Sequence, residues 1–189
     1  MTTRQRFRCE RDIIGRLLVG YGEMELDLCN CVAMGIDDLD MVLKAMFRPR
    51  GETSRIEIAE AMGQKVYTSL GLGKPFNKAI EAMRFCLKLR NRYAHSHFYD
   101  DNSGNLALVS LEEIARKRTM IKNLLGLTIK HLTKDTLIQQ ELYFVYTRAC
   151  IEFVNYEGRF LRKTLPDRLF EMPAYVERPQ EFAKEAEIV

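Results

Sequence analysis

The chain has 189 residues, of which 47% are hydrophobic and 29% charged, with a formal net charge of +3. This is the balance of a globular protein able to bury a substantial core, while the slight positive charge permits RNA as a partner without the basic stripes of a dedicated nucleic-acid binder. No run approaches the ~18 apolar residues of a membrane span, and no apolar region follows the basic start Met1–Arg8, which excludes a secretory signal and makes a cytoplasmic location the expectation.

In chain order, Ile14, Leu17, Tyr21, Met24, Leu28 and Cys31 recur at alternating threes and fours. This spacing predicts a long helix from Glu10 to Met34, with Gly35 as its C-terminal cap. Gly15, Gly20 and Gly22 weaken it by about 1 kcal/mol each relative to alanine, or allow a partner to approach closely. Asp37 and Asp38 can cap a shorter helix through Phe47, carrying Leu39, Val42, Leu43 and Met46, which Pro49 and Gly51 end. A further helix is expected from Glu52 to Leu70 on Ile56, Ala59, Met62 and Val66. The connector Gly71–Pro75 lacks the spacing of a phosphate loop.

Pro75 suits the first turn of the next helix, predicted to reach His97. The run Asp100–Asn105 is a turn signal, and Tyr99 with Leu106–Val109 can form a small hairpin, marginal as two strands alone. Ser110 and Glu113 read as a capping box opening a helix. Residues 118–133 are ambiguous between helix and extended chain. Leu142, Tyr146, Ala149, Phe153, Tyr156 and Phe160 mark a last helix from Lys134 to Lys163, whose aromatic stripe is read as core packing. The expected fold is an all-α antiparallel bundle of about five helices over 1–165, with at most one small β-hairpin. A C-terminal extension, 166–189, then docks or hangs free.

Five cysteines, an odd number set in apolar helical runs, indicate reduced thiols. Cys29 and Cys31 have no matching ligand pair elsewhere, so neither a zinc site nor any other metal or cofactor is expected. The chain also has no Gly-x-Ser-x-Gly elbow, zinc-binding His-Glu-x-x-His or glycine-rich dinucleotide turn.

The chemistry-bearing segment is Arg90-Asn91-Arg92-Tyr93-Ala94-His95. Upstream, Phe76, Ile80, Met83 and Leu87 define an apolar helix face, and continuing the rhythm lands on Arg90, Ala94 and His97. Arg90 then sits within roughly 40° of the stripe centre, with Asn91 and His95 together along its edge. A guanidinium directed inward needs an anion, a carboxylate or a carbonyl to meet it. An Arg with a His five residues on arises by chance with a probability of roughly 0.3, and adding Asn after the Arg lowers this to the order of 0.01.

This string, Arg-Asn-x-aromatic-Ala-His at the end of a long helix, resembles the signature of the HEPN superfamily (higher eukaryotes and prokaryotes nucleotide-binding), in the form found in mannitol-repressor-like proteins. The match is strict over Arg90–His95 and looser from Arg55 to Glu113. The resemblance implies a homodimeric or heterodimeric helical bundle in which the motifs of two chains meet in a cleft. It further implies a metal-independent ribonuclease or, in members without catalysis, a nucleotide-binding or protein-interaction module. Antitoxin-paired members often carry a tyrosine two residues past the histidine. Here that position is His97, a departure that speaks against regulation through such a tyrosine.

Metal-free RNA cleavage needs proton transfer at the 2′-hydroxyl and the leaving oxygen, and stabilisation of charge on the phosphate. Histidine serves as acid or base near neutral pH, and arginine holds a phosphate while staying charged. The expected roles are His95 as general acid/base, Arg90 on the scissile phosphate and Asn91 supporting both. Tyr93 and His97 are secondary candidates, Tyr93 as a packed residue and His97 as its partner one turn on. Arg90 and His95 are separated by roughly 140° about an ideal helix, so a two-fold dimer combining two motifs is expected. RNA or a nucleotide is the expected ligand, with an antitoxin-like protein as a further partner class. Arg4, Arg6 and Arg8, and Arg48, Arg50 and Arg55, are candidates for steering it, or simply solvated surface. The remaining alternative is a polar network at the dimer interface with no ligand.

Overall fold

The computed structural model describes residues 6–116 and 129–183. Among these the chain is mostly helical, with six helices and one small antiparallel sheet. In order they are α1 (Arg8–Ile36), α2 (Leu39–Phe47), α3 (Glu52–Ser69), α4 (Gly73–Ala94), β1 (Ser96–Tyr99), β2 (Leu106–Ser110), α5 (Leu111–Arg116), β3 (Lys130–Leu132) and α6 (Lys134–Leu161). The chain divides into two compact units. One draws on the described parts of Met1–Leu18, Leu89–Leu142 and Arg178–Val189, the other on Val19–Lys88 and Tyr143–Glu177.

The periodicity of α1 holds throughout: Ile14, Leu17, Tyr21, Met24, Leu28 and Cys31 are all buried. Its end differs from expectation. Gly35 stays helical, and Asp37 takes the left-handed conformation at φ 67°, its N–H donating to the Ala33 carbonyl at 2.7 Å. Arg162 meets the last carbonyls, donating to those of Met34 and of Gly35, so α1 needs no glycine cap. Asp38 caps α2 as predicted, accepting from Met41 N at 2.9 Å. Val42 and Met46 are buried there, whereas Leu39 and Leu43 are exposed.

In the second unit a single phenol organises the packing. Tyr67 on α3 is buried, donates its hydroxyl to the Cys31 carbonyl at 2.6 Å and accepts from the Cys31 thiol at 3.1 Å. Its ring stacks on Phe76 of α4, centroids 4.9 Å apart. Two glycines make room. A Cβ on Gly63 would lie 2.5 Å from the Phe76 ring, and one on Gly158 would lie 3.0 Å from Tyr67. The buried line of α3 therefore runs Ile56, Ala59, Gly63, Tyr67, displacing the predicted Met62 and Val66 to half-exposed positions. On α6 the predicted Tyr146 is buried, but the buried line otherwise runs through Tyr143, Thr147, Cys150 and Val154, and Leu142 is exposed. Thr147 can sit inside because its hydroxyl donates to the Tyr143 carbonyl and lies 3.3 Å from the Cys86 sulfur.

In the first unit the predicted hairpin exists with a third strand added. β1 pairs with β2, Ser96 opposite Ser110 and Tyr99 opposite Ala107. β2 in turn pairs with β3, Leu106 opposite Leu132. Between its two neighbours, β2 buries Leu106, Ala107, Leu108 and Val109. The strand at Ser96–Tyr99 also overturns the expected reach of α4 to His97: the helix stops at Ala94, because its continuation pairs in the ladder instead. β3 lies in the stretch read as ambiguous, of which 118–128 fall outside the described residues. The side chain of Glu113, the expected second half of the capping box, is outside them as well.

Gly63→Ala is expected to destabilise the protein by about 1–3 kcal/mol despite alanine's better helix propensity, because the added methyl meets the Phe76 ring. Gly22→Ala, at an exposed position with nothing within 4 Å of the added carbon, should stabilise by up to about 1 kcal/mol. Paired urea melts test both signs, and a Gly63→Ala variant as stable as the parent would contradict this account of the Tyr67–Phe76 stack.

Candidate functional site

The end of α4 delivers the motif. Leu89 and Tyr93, four residues apart, are the inward row of its last turns, and both are buried. Arg90, Asn91 and Arg92 are half-buried, while Ala94 and His95 are exposed. The greasy stripe thus turns onto Tyr93 where the upstream rhythm points to Arg90 and Ala94. The reason is a polar partner for the phenol: Tyr93 donates its hydroxyl to Oε1 of the fully buried Gln140 on α6. Burial pushes the Tyr93 phenol up from its ordinary value, so it remains a proton-bearing donor at neutral pH. Tyr93 is a packed residue, as read from its position.

Arg90 Nη1 donates to Asn91 Oδ1 at 2.8 Å, which holds the two motif side chains as a pair. Arg92 is directed differently. Its guanidinium pairs with Glu181 and lies 4.4 Å from the centroid of the Phe182 ring.

His95 closes the last helical turn, its N–H donating to the Asn91 carbonyl at 3.1 Å. The imidazole is half-exposed, and Nδ1 lies 3.1 Å from Oε1 of Glu112 on α5. A carboxylate on Nδ1 favours the tautomer in which Nε2 carries the lone pair, the arrangement of an oriented general base. Glu112 also lies 3.4 Å from Arg116. Sequence reading singled out Glu113 as a cap and passed over Glu112, since neither spacing nor a motif marks it.

His97 does not pair with Tyr93. Strand β1 carries its ring outward, stacked against Tyr99 at 6.2 Å. With Arg11 and Ser96, His97 borders a groove of about 530 Å³ whose walls include Ile14, Leu18, Phe98 and Leu106. The Ser96 hydroxyl is buried there without a hydrogen-bond partner among the described residues.

The third histidine forms a pair that the sequence does not reveal. His131 Nε2 lies 2.7 Å from Asp101 Oδ2, and both side chains are largely buried. Burial pushes the Asp101 carboxyl up, but hydrogen bonds from Ser103 and from His131 outweigh it and bring the group down to about 2. Asp101 belongs to the predicted turn, and β3 brings His131 to it from thirty residues away.

Of the proposed steering arginines, Arg6 pairs with Asp100 at 3.0 Å and Arg55 with Glu25 at 2.8 Å, while Arg4 is outside the described residues. Both pairs neutralise charge that would otherwise be offered to a ligand or to solvent. Among the described residues no three His, Cys, Asp or Glu side chains gather as metal ligands, and no helix is long and apolar enough to cross a membrane.

Because its carboxyl is depressed from an ordinary 3.8, Asp101 should contribute stability that is complete above pH 4 and lost as pH falls through about 2. A carboxyl NMR titration is expected to place Asp101 near 2, and His131→Phe should move it up toward the ordinary range. An unmoved value in that variant would remove His131 as a cause.

Compared with known proteins, the chain matches no protein-family model, no curated protein and no solved structure.

Proposed function

We propose that the protein is a metal-independent endoribonuclease of HEPN type, acting as a homodimer in which the motifs of two chains form one cleft. The observation that carries this reading is the oriented imidazole. His95 stands at the exposed end of the motif helix, one turn past Asn91, with Glu112 at Nδ1. In the reaction, Nε2 of His95 takes the proton of the 2′-hydroxyl or delivers one to the leaving 5′-oxygen. Glu112 orients the ring through Nδ1. Arg90, steadied by Asn91, binds the phosphate on which charge develops. A dimer supplies the second copy of each group, so that a base from one chain and an acid from the other can act on opposite sides of one phosphate.

A second reading, a nucleotide-binding or protein-interaction module without turnover, is favoured by the engagement of Arg92 within the chain itself. The same experiment separates the two, since a module binds a fluorescent nucleotide and leaves RNA intact.

Purified protein is expected to cleave single-stranded RNA in EDTA, and His95→Ala to lower the rate by about 10²–10⁴-fold with an unchanged melting temperature. Glu112→Gln should cut the rate less, since the amide oxygen can still accept from Nδ1. An equimolar mixture of unmodified and His95→Ala protein should keep about a quarter of the activity, not half, if only dimers carrying both imidazoles act. Cleavage that persists in His95→Ala would defeat the assignment.

A further inference from the structure

The last described residues of the chain are less exposed than the stretch before them. From Asp167 to Met172 the tail is exposed, but Glu181, Phe182 and Ala183 are half-buried. Each of residues 180–183 makes at least one contact with the rest of the unit. Glu181 pairs with Arg92, and the ring of Phe182 lies against both Arg92 and Lys130, at 4.4 Å and 5.6 Å. Gln140 donates its amide to the Gln180 carbonyl at 2.8 Å, and Ala183 N–H donates to the His131 carbonyl at 2.9 Å. A charged group, an aromatic ring and two main-chain positions are thus each met by a dedicated partner, the way a groove recognises a bound peptide.

What this segment covers is a cation of the motif. Arg92 is adjacent to Asn91, and its side chain is only 13% exposed beneath the tail. A guanidinium fork accepts a carboxylate and a phosphate in the same geometry. Glu181 therefore sits where a phosphate oxygen would sit, and Phe182 shields the pair from solvent.

We infer that residues 180–183 form a latch that fills a phosphate-binding position on Arg92, and that its release opens this position beside Arg90 and Asn91. The inference rests on the nuclease or nucleotide reading only for the origin of the phosphate. The chemistry of the site, a planar cation now neutralised in cis, stands without it. Lys130 stays exposed, its Nζ 5.6 Å from the Phe182 ring, so the cation that release uncovers is Arg92.

The test uses the full-length chain in a His95→Ala background, where binding is read without turnover. Glu181→Gln combined with Phe182→Ala should tighten binding of a single-stranded RNA decamer about tenfold, the factor expected if the closed latch occupies Arg92 nine-tenths of the time. The salt dependence should steepen by about 0.7 for the added phosphate contact. Adding Arg92→Gln should abolish both changes. Ala183→Pro, which removes the N–H donated to His131, offers an independent way to loosen the latch should the double variant fold poorly.

Inorganic phosphate, titrated as a competitor, distinguishes the sources. An Arg92-dependent gain for RNA assigns the position to a nucleic-acid backbone, and a gain confined to inorganic phosphate assigns it to a free anion. Unchanged or weaker binding of both by the released variants overturns the latch. A protein that binds more tightly on release but never cleaves, with an intact His95, would sink the nuclease reading and leave the latch standing.

Discussion

A carboxamide with no access to solvent ties the motif to the rest of its unit. Gln140 on α6 is fully buried, and leaving either end of a buried amide unsatisfied costs about 1–3 kcal/mol. Its oxygen accepts from Tyr93 and its nitrogen donates to the backbone at Gln180. This one side chain therefore settles three matters. It draws Tyr93 inward and so sets the rotation of the last turn of α4. It takes Tyr93 out of the chemistry. It also fixes where the C-terminal segment crosses the motif. Had Gln140 been apolar, Tyr93 would have had no reason to bury its hydroxyl in preference to Arg90.

The inward row of α1 was readable in the sequence because its burial repeats the helical period without interruption. Elsewhere local exceptions displaced the pattern by a residue. On α3 a glycine occupies the inward row because an aromatic ring on α4 needs the space. On α6 a threonine does so because its hydroxyl bonds within the helix. Periodicity treats glycine and threonine as gaps, so it selected Met62 and Leu142 in their neighbourhood. The boundary of α4 was missed for a different reason. Residues 96–99 carry the helical rhythm far enough to extend it, and only the distant partner strand at 106–110 makes them extended. β3 is three residues long, too short to leave a local signal.

The site was legible in part. Arg90, Asn91 and His95 stand at one helix end as their spacing indicates, but their partners come from elsewhere in the chain. Glu112 and the Asp101–His131 pair depend on the strand pairing, which a linear reading cannot supply. The cysteines, by contrast, needed no partner to be understood. Burial pushes the thiols of Cys31 and Cys86 up to about 12, so neither offers a thiolate at neutral pH, and their role is packing.

Among the described residues, the sheet order β1-β2-β3 leaves one side of β3 without a neighbouring strand. An uncovered strand of this kind is a template on which other chains can add themselves. Here the carbonyl of His131 is already taken by Ala183, and the ring of Phe182 stands over Lys130 at the strand's start. The tail thereby acts as a guard against stacking between molecules, and a chain cut short of it would carry an adhesive border into every crowded compartment it entered.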